Sequence, residues 1–371
     1  MTDSSLPASH VDAATAVEPV DISRGWLAAL EEQANAALPP HIREYVGTTA
    51  GSAERAARDL AEWDAVSFAP RTLLGERSLD LGTTVLGRSV SSPVLIAPMA
   101  QQVGAHPAGE RATAAAAAAV GTVIGVSTNT AVPFGEIQGT GAEWWFQVYP
   151  LADRAATERI VERAAAAGAA AIILTVDTTA LLVSAPGIEP TEWPEGPERA
   201  RLVNLTAAEL AGLEGRPTVA ATLDDIAWLT RASGGLPVIV KGVLRGDDAT
   251  RAVDAGASAV IVSTHGGRRS GASISSLSAL PSVVGAVGDA AEVYVDSGVR
   301  SGGHALVALT LGAQAVFVGR PVMWGLALSG AAGVERVLRG LNAELTLALS
   351  QSGATSLAGL STELTISLGS R

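Results

Sequence analysis

The 371-residue sequence contains no cysteine. Disulfide bridges, thiolate metal ligands and cysteine nucleophiles are therefore excluded. Charged residues are also scarce, at 17% of the chain, whereas hydrophobic residues make up 48%. This composition excludes a globally disordered chain and predicts a large buried core.

Basic residues are fewer than acidic residues. The chain has 25 lysines and arginines against 37 acidic residues, a formal net charge of −12, and no run of five or more basic residues. Such an acidic balance argues against nucleic acid or an anionic membrane as the main partner. Small-molecule chemistry is therefore the favoured class of function.

Signals for export and for membrane insertion are missing as well. Residues 1–21 lack the basic and apolar segments of a secretory signal, and we interpret them as a flexible acidic tail. The uncharged stretch from Ala112 to Gly135 is long enough to span a bilayer, but it contains Asn129 and Pro133 and is mostly small residues. It is interpreted as a buried helix followed by a strand. We predict a cytoplasmic protein without membrane contact.

Eight short β-branched segments recur along the chain, each ending in a polar residue, Gly or Pro, with Ala-rich helical segments between them. Continuous apolar strands that alternate with helices indicate a parallel sheet covered by helices. Eight units, and no GxGxxG motif after the first, favour a closed (β/α)8 TIM barrel over an open doubly wound sheet. The segments are Pro93–Ala100, Thr122–Thr128, Trp144–Tyr149, Ala170–Asp177, Pro237–Val243, Ala259–Gly266, Ala291–Gly298 and Ala315–Arg320.

We predict that residues 22–371 form a single domain, in which residues 22–79 are a helical cap that precedes the barrel and consists of two helices joined by a turn from Leu38 to Pro40. Residues 185–217 are rich in Pro, Gly and Glu and follow the fourth segment. A loop of that length is usually functional, so it is predicted to be an active-site loop.

Catalytic groups of a (β/α)8 barrel lie at the carboxyl ends of its strands. His265 is the only one of the five histidines at such an end, and two glycines and Arg268 follow it. A lone histidine is more often structural, but this position favours a catalytic role. The other polar residues at segment ends are Gln147, Tyr149, Asp177, Lys241, Asp296 and Arg320.

Lys241 and Asp177 each allow two interpretations. Lys241 either extends out of the barrel rim or supplies a fixed positive charge for an anionic intermediate or a reduced cofactor. Asp177 either caps a helix or stabilises a protonated His265 across the barrel mouth.

Glycines and arginines follow the last two segments, in Gly298–Gly303 and Gly319–Pro321. The loops after the seventh and eighth strands commonly bind phosphate in this fold, through backbone amides and a helix N-terminus. Arg300 and Arg320 strengthen the prediction of a phosphate site there.

The chain contains the motifs WFQVY, LTVDT, PVIVKG, STHGGR and VDSGVRSG in this order. With these motifs it resembles the FMN-dependent α-hydroxy-acid oxidases and dehydrogenases over roughly residues 23 to 365. The resemblance implies bound FMN and no metal ion. It places the phosphate at Arg300, Gly319 and Arg320, and the ribityl chain near Asp296. The implied flavin contacts are Ala97, Pro98, Met99, Ala100, Ser127, Gln147, Thr175, Lys241, Ser263 and Gly298.

The same resemblance implies roles in catalysis. His265 is the general base, Asp177 its partner, Tyr149 a hydrogen-bond donor near the substrate oxygen, and Arg268 the anchor of the substrate carboxylate. Lys241 stabilises negative charge on the flavin edge. The resemblance also implies a homotetramer, and it leaves oxygen, a quinone or a separate protein as the electron acceptor.

Several positions depart from the family pattern. Thr179 to Ser184 replace a segment that carries a second active-site arginine, and Arg43 is counted at the position of a substrate-binding tyrosine. Thr264 and Gly271–Ala272 also differ from the pattern. The core of the flavin site is thus retained while the substrate wall is changed.

We therefore expect oxidation of a 2-hydroxy acid, such as an aryl acid like mandelate or a specialised metabolite, to the 2-oxo acid. The alternative is a neutral, peptide-like or amine-bearing substrate in a biosynthetic pathway, which the loss of the arginine favours. A flavin-binding protein without turnover is a third possibility, and the intact catalytic set argues against it.

Overall fold

Eight parallel strands form a closed barrel, in which each strand pairs with the next along the chain and the last pairs with the first. They are β4 (Val94–Met99), β5 (Val123–Ser127), β6 (Glu143–Val148), β7 (Ala171–Thr175), β8 (Val238–Val243), β9 (Ala259–Val262), β10 (Glu292–Val295) and β11 (Ala315–Val318). The computed structural model describes residues 22–73, 79–178, 202–213, 218–354 and 356–367. The predicted (β/α)8 barrel is confirmed, and each predicted segment overlaps one barrel strand.

The barrel interior is packed with side chains. Trp145, Tyr294 and Phe317 lie within 6.0 Å of one another by ring centroids and are fully buried. Smaller residues such as Ala171 and Ala259 fill the space beside them. Because this core fills the barrel interior, the binding site is expected at the carboxyl end of the strands.

A short hairpin of β2 (Thr83–Val85) and β3 (Arg88–Val90) covers the amino end of the barrel. Val85 and Val90 pack into the interior cluster, and the backbone amide of Leu86 donates to the Glu292 carboxylate. Sequence analysis did not predict this hairpin. A third strand pair joins β1 (Val66–Phe68) to β12 (Thr365–Ser367).

Helices cover the outside of the barrel, and a second apolar cluster fills the space between them and the strands. Several begin at a side-chain cap: Asp153 accepts from the Ala155 amide, Ser275 from Ser278 and Ser301 from His304. The helices are α4 (Gln102–Ala105), α5 (Gly109–Val120), α6 (Phe134–Gln138), α7 (Arg154–Ala166), α8 (Ala207–Ala211), α9 (Asp224–Ala232), α10 (Gly246–Asp254), α11 (Ser276–Val287), α12 (Gly302–Thr310) and α13 (Arg320–Ser352).

The N-terminal region is helical, as expected, but it contains three helices rather than two. They are α1 (Trp26–Ala37), α2 (Pro40–Gly47) and α3 (Ala53–Asp64). The additional helix α2 begins directly at Pro40, which suits the first position of a helix because proline has no amide hydrogen to donate. Ser52 then caps α3 by accepting from the Arg55 amide.

Some predicted segments lie outside the described residues: the tail 1–21, and residues 185–201 and 214–217 of the proposed active-site loop. The described part of that loop, 202–213, contains α8, which begins with a capping box between Thr206 and Glu209. Ala112 to Gly135 contains most of α5 and all of β5, so the interpretation as helix and strand is confirmed. Within the described residues, no helix has the length and apolar character needed to cross a membrane.

Candidate active site

Buried polar side chains line the carboxyl end of three neighbouring strands, β5, β6 and β7. The Ser127 hydroxyl donates to Gln147 Oε1 over 3.1 Å, and Gln147 Nε2 donates to Thr175 Oγ1 over 3.0 Å. All three residues are almost fully buried. A polar row of this kind offers amide and hydroxyl groups to a heterocycle that carries both donors and acceptors.

The row continues across β8, β9 and β10 with charged groups. Lys241 Nζ donates to Ser263 Oγ over 2.8 Å and lies 3.1 Å from Asp296 Oδ2. Burial favours a neutral lysine, but the negative charges of Asp296 and Asp177 outweigh burial and raise the pKa of Lys241. Lys241 is 4% exposed and keeps its charge inside the barrel mouth, so it does not extend out of the rim.

His265 lies beside two other predicted site residues. Its Nδ1 is 3.0 Å from Asp177 Oδ1, and its Nε2 is 3.4 Å from the Tyr149 hydroxyl. The His265 side chain is 21% exposed and that of Asp177 is 12% exposed. Asp177 therefore faces the histidine, as the second interpretation of this aspartate predicts.

The protonation states of this pair follow from burial and charge. Burial lowers the pKa of His265, and the charges of Lys241 and Arg269 lower it further, while Asp177 acts in the opposite direction. Burial alone would raise the pKa of Asp177, but His265 and the neighbouring cations bring it down to about 2. At neutral pH the imidazole is therefore neutral beside an ionised carboxylate. In that state Nδ1–H donates to Asp177, and Nε2 is available to accept a proton.

The turn after β9 fixes the histidine. His265 has φ 57°, in the left-handed region, and Gly266 and Gly267 follow with φ 68° and 76°. The Ser263 hydroxyl accepts from the His265 amide, and the Ser297 hydroxyl accepts from the amides of Thr264 and Gly266. Side chains of the segments that follow β9 and β10 thus hold a strained turn at the barrel mouth.

Two partly buried arginines lie where the last two strands end. Burial lowers the pKa of Arg300 to about 10, and burial together with the charges of Arg300 and Arg268 lowers the pKa of Arg320 to about 10. The Arg320 guanidinium donates hydrogen bonds to the backbone carbonyls of Val46, Thr48 and Gly266. Arg300 donates to the Val299 carbonyl and lies over Trp324, 5.4 Å from the ring centroid.

In the described part of the chain, neither Arg300 nor Arg320 donates to a carboxylate. Two partly buried guanidinium groups with no directly bonded carboxylate fit a phosphate, because a desolvated charge needs a counter-charge and Glu31 acts on them only at longer range. A Cβ at Gly319 would lie 3.5 Å from the sulfur of Met99 and 3.9 Å from Ala97, so the start of α13 approaches β4 closely here. The predicted FMN residues that lie in the described part, from Ala97 to Arg320, all fall at the carboxyl ends of the barrel strands.

The segment that carries Arg300 is held by α3 and α12. His304 Nδ1 accepts from the Arg300 amide over 3.2 Å, while His304 Nε2 lies 2.8 Å from Asp64. Its ring stacks on Trp63 at 5.7 Å. A side chain at Gly298 would overlap that indole, and Gly298 has φ 131°, so only glycine fits.

The structure corrects the prediction that Arg43 binds substrate. Arg43 is exposed, and its guanidinium donates to the Asn35 carbonyl on α1. In α2, Ile42 and Val46 are the buried residues, which turns Arg43 to the solvent face. Tyr45, two positions later, is half-buried, and its phenol adds to the raised pKa of Tyr149, for which burial is the main cause.

Sequence analysis did not select Tyr45, which packs against Arg268, or Arg269, whose charge lowers the pKa of His265. The i, i+4 spacing of Ile42 and Val46 was a usable signal for the buried face of α2. Arg268 donates to the Tyr45 carbonyl and lies over the Tyr45 ring, 4.5 Å from its centroid. Ser184 lies outside the described residues.

Comparisons with known proteins agree with this geometry. The family model described as FMN-dependent dehydrogenase matches residues 34–367. An L-lactate oxidase from Nostoc sp. is 39% identical over 355 residues, which cover 90% of this chain and 95% of that protein. A pre-mycofactocin synthase from Mycobacterium tuberculosis is 36% identical over 371 residues, 90% of this chain and 92% of that protein. A solved mandelate oxidase variant with (S)-mandelic acid has a TM-score of 0.79 and 34% identity, covering 92% of this chain and 97% of the other.

Proposed function

The chain belongs to the FMN-dependent dehydrogenase family, and from this premise we propose that it oxidises a 2-hydroxy acid to the 2-oxo acid. The observation that carries the proposal is the pairing of a neutral His265 with an ionised Asp177 next to a charged, buried Lys241. A base, its charged partner and a fixed cation at one barrel mouth are the groups that this oxidation needs.

FMN, when bound, would accept the two electrons and one of the two protons that the substrate loses. Arg300 and Arg320 would hold its phosphate, and Ser127, Gln147 and Thr175 would offer hydrogen bonds to its ring. Lys241, kept charged by Asp296, would stabilise negative charge at the ring edge.

His265 acts on the substrate. The carbinol group loses two electrons and two protons, and His265 accepts one of these protons at Nε2. Asp177 stabilises the resulting imidazolium through Nδ1–H, because a negative charge 3.0 Å away favours the protonated ring. Tyr149, 3.4 Å from Nε2, would donate its hydroxyl hydrogen to the substrate oxygen.

Lactate and mandelate oxidases among the relatives support a 2-hydroxy acid, and within that class we propose an aryl or specialised-metabolite acid such as a mandelate. The alternative is a neutral, peptide-like or amine-bearing substrate. Its support is a relative of similar identity that is named as a synthase, not as a hydroxy-acid oxidase.

The test is anaerobic mixing of the purified yellow protein with a panel of 2-hydroxy acids, amino acids and alcohols, followed by absorbance of the flavin. Bleaching by 2-hydroxy acids supports the proposal, and bleaching by amines alone supports the alternative.

His265→Ala should retain flavin and reduce it at least about 10²-fold more slowly, the usual contribution of a general base. A variant that reduces flavin at the wild-type rate would remove His265 from the chemistry.

Oxygen is the electron acceptor that we propose, because several relatives are named oxidases. Oxygen consumption during turnover tests this choice against a quinone or a separate protein. The homotetramer and the cytoplasmic location are proposals that follow from the sequence and the family resemblance. Light scattering of the purified protein tests the first, and fractionation of the source cell tests the second.

A further inference from the structure

His304 is a buried polar side chain to which the proposed chemistry gives no role. It occupies the third position of α12, and the Ser301 hydroxyl accepts from its backbone amide over 3.1 Å. The residue is 8% exposed, and its ring stacks on the buried Trp63 of α3 at a centroid distance of 5.7 Å and an interplanar angle of 25°. The helix cap and the stacked indole together fix the direction of both ring nitrogens.

Hydrogen bonds on the two sides of the His304 ring determine which nitrogen carries the hydrogen. Nε2 lies 2.8 Å from Asp64 Oδ1, and an ionised carboxylate can only accept, so Nε2 is the donor. On the other side of the ring, the Arg300 backbone amide donates to Nδ1 over 3.2 Å. A neutral ring with its hydrogen on Nε2 satisfies both contacts, because Nδ1 then presents a lone pair to the amide.

The opposite tautomer of His304 fits the same surroundings worse. With its hydrogen on Nδ1, the ring would set a second donor against the Arg300 amide, and the Gly298 carbonyl, 3.4 Å away, would have to accept. Nε2 would then turn a lone pair towards the Asp64 carboxylate. Asp64 therefore acts through the ring, since by accepting from Nε2 it leaves Nδ1 free to accept from Arg300.

Arg300 depends on this arrangement for the position of its backbone. His304 holds the Arg300 amide between β10 and α12, one residue before the Ser301 cap. The Arg300 guanidinium donates to the Val299 carbonyl and to no carboxylate among the described residues, and it lies over Trp324. Because the guanidinium is attached to this backbone, a displaced amide would also move the cation that is available to a phosphate.

We propose that His304 is a positioning residue for the cofactor, and that it acts by accepting from the Arg300 amide through an unprotonated Nδ1. Asp64 is a second positioning residue, because it holds the ring in that tautomer. The inference rests on the proposed phosphate site at Arg300, and it does not depend on the identity of the substrate. It means that a residue of α3, outside the cofactor site, influences the affinity for FMN.

The test compares two amide variants that differ by one methylene group. His304→Asn places an acceptor oxygen as many bonds from the backbone as Nδ1, whereas His304→Gln places it one bond further out. Each apoprotein is titrated with FMN and with riboflavin, which lacks the phosphate. His304→Gln should weaken FMN binding about 3- to 10-fold, the usual contribution of one hydrogen bond, and change riboflavin binding little. His304→Asn should bind FMN nearly as tightly as the wild type.

Helix propensity separates this expectation from a purely structural role of His304. Gln is a better helix former than Asn, so damage to α12 alone would weaken FMN binding more in His304→Asn than in His304→Gln. The inference requires the opposite order. Equal FMN affinities in the two variants, or equal losses of FMN and riboflavin affinity in His304→Gln, would overturn it.

Solid-state ¹⁵N NMR of the apoprotein labelled at histidine measures the tautomer without FMN. The sequence has five histidines, and His304 gives the signals that are missing from His304→Asn. At about pH 8, where an ordinary histidine is neutral, the wild type should show His304 with an unprotonated Nδ1 and a protonated Nε2. A protonated Nδ1 in the wild type would overturn the inference.

Asp64→Ala tests the part played by the carboxylate. The other tautomer of His304 should become more populated, and FMN binding should weaken by less than in His304→Gln, because the Asp64 side chain is 76% exposed and such contacts contribute little. Asp59→Ala is the control, since it removes a carboxylate of the same helix that pairs with Arg55 instead. An unchanged tautomer in Asp64→Ala would show that Asp64 does not orient the ring.

These measurements need no turnover, so they separate the inference from the proposed function. If no 2-hydroxy acid bleaches the flavin, yet FMN binds more weakly to His304→Gln than to His304→Asn, the proposed oxidation is wrong and the inference stands. If 2-hydroxy acids bleach the flavin and both variants bind FMN equally well, the proposed function stands and the inference is wrong.

Discussion

The base strength of His265 is set by charges on both sides of its ring. Asp177 favours the imidazolium, while Lys241 and Arg269 oppose it and burial opposes it most. The histidine is therefore a weaker base than in water and is neutral at working pH. Only neutral histidine can take the substrate proton, so activity should fall as pH decreases through its pKa.

Asp177→Asn tests this balance. The amide keeps a side chain of similar shape but removes the negative charge, so the pKa of His265 should fall further. We expect kcat/KM to decrease by about 10²-fold or more and the low-pH limb to move to lower pH. The measurement is kcat/KM against pH for both proteins. A limb that moves upwards, or an unchanged rate, would contradict the role of Asp177.

At the residue scale, side chains that follow apolar strands were predictable because the barrel brings all strand ends to one mouth. Lys241, Asp177, Tyr149 and His265 lie together for this reason. Arg43 was not predictable by counting from the Leu38–Pro39 turn, because the face of a helix depends on which residues it buries. Ile42 and Val46 face the core, and this places Arg43 in solvent.

At the scale of elements, the eight strands were predictable from continuous apolar segments, which parallel strands buried on both faces require. The hairpin of β2 and β3 was not, since each strand has only three residues and its turn uses Leu86 at φ 46°. Its two buried valines are too few to give a pattern in the sequence. Helix α2 escaped prediction for the same reason of length.

The segment between β10 and α12 is an element whose position depends on one glycine. Gly298→Ala should displace the loop, because a side chain there overlaps Trp63 and the φ of 131° disfavours any residue with a Cβ. The Arg300 amide, held by His304, would move with it. We expect weaker FMN binding, measured as Kd by titration of the apoprotein with FMN.

Gly303→Ala is the matched control for that variant. Gly303 lies in the first turn of α12, and a Cβ there would make an ordinary contact of 3.5 Å with Ser301. Alanine is also the better helix former, so FMN affinity and stability should not decrease. Equal FMN affinity in both variants would show that the loop tolerates the change at Gly298 and does not position Arg300.

At the scale of the whole molecule, the phosphate site joins parts that are distant in sequence. Arg320 begins α13 and donates to carbonyls at the end of α2 and in the turn after β9. Arg300 lies over Trp324 of α13. An anion that neutralises both arginines should therefore stabilise the N-terminal helices, the barrel and the C-terminal helix together.

This coupling predicts that FMN raises the Tm of the apoprotein more than riboflavin does, because riboflavin has the same ring but no phosphate. A ligand at 100 times its Kd stabilises the folded state by about 2.7 kcal/mol, and weaker binding of riboflavin gives a smaller shift at equal concentration. Arg300→Gln should reduce the difference between the two ligands, since it removes one of the two arginines that donate to no carboxylate among the described residues. Arg43→Gln, which changes an exposed arginine, should leave the difference intact. Scanning calorimetry of the three proteins with each ligand measures the shifts. Equal shifts with FMN and riboflavin in the wild type would mean that the buried arginines do not bind the phosphate.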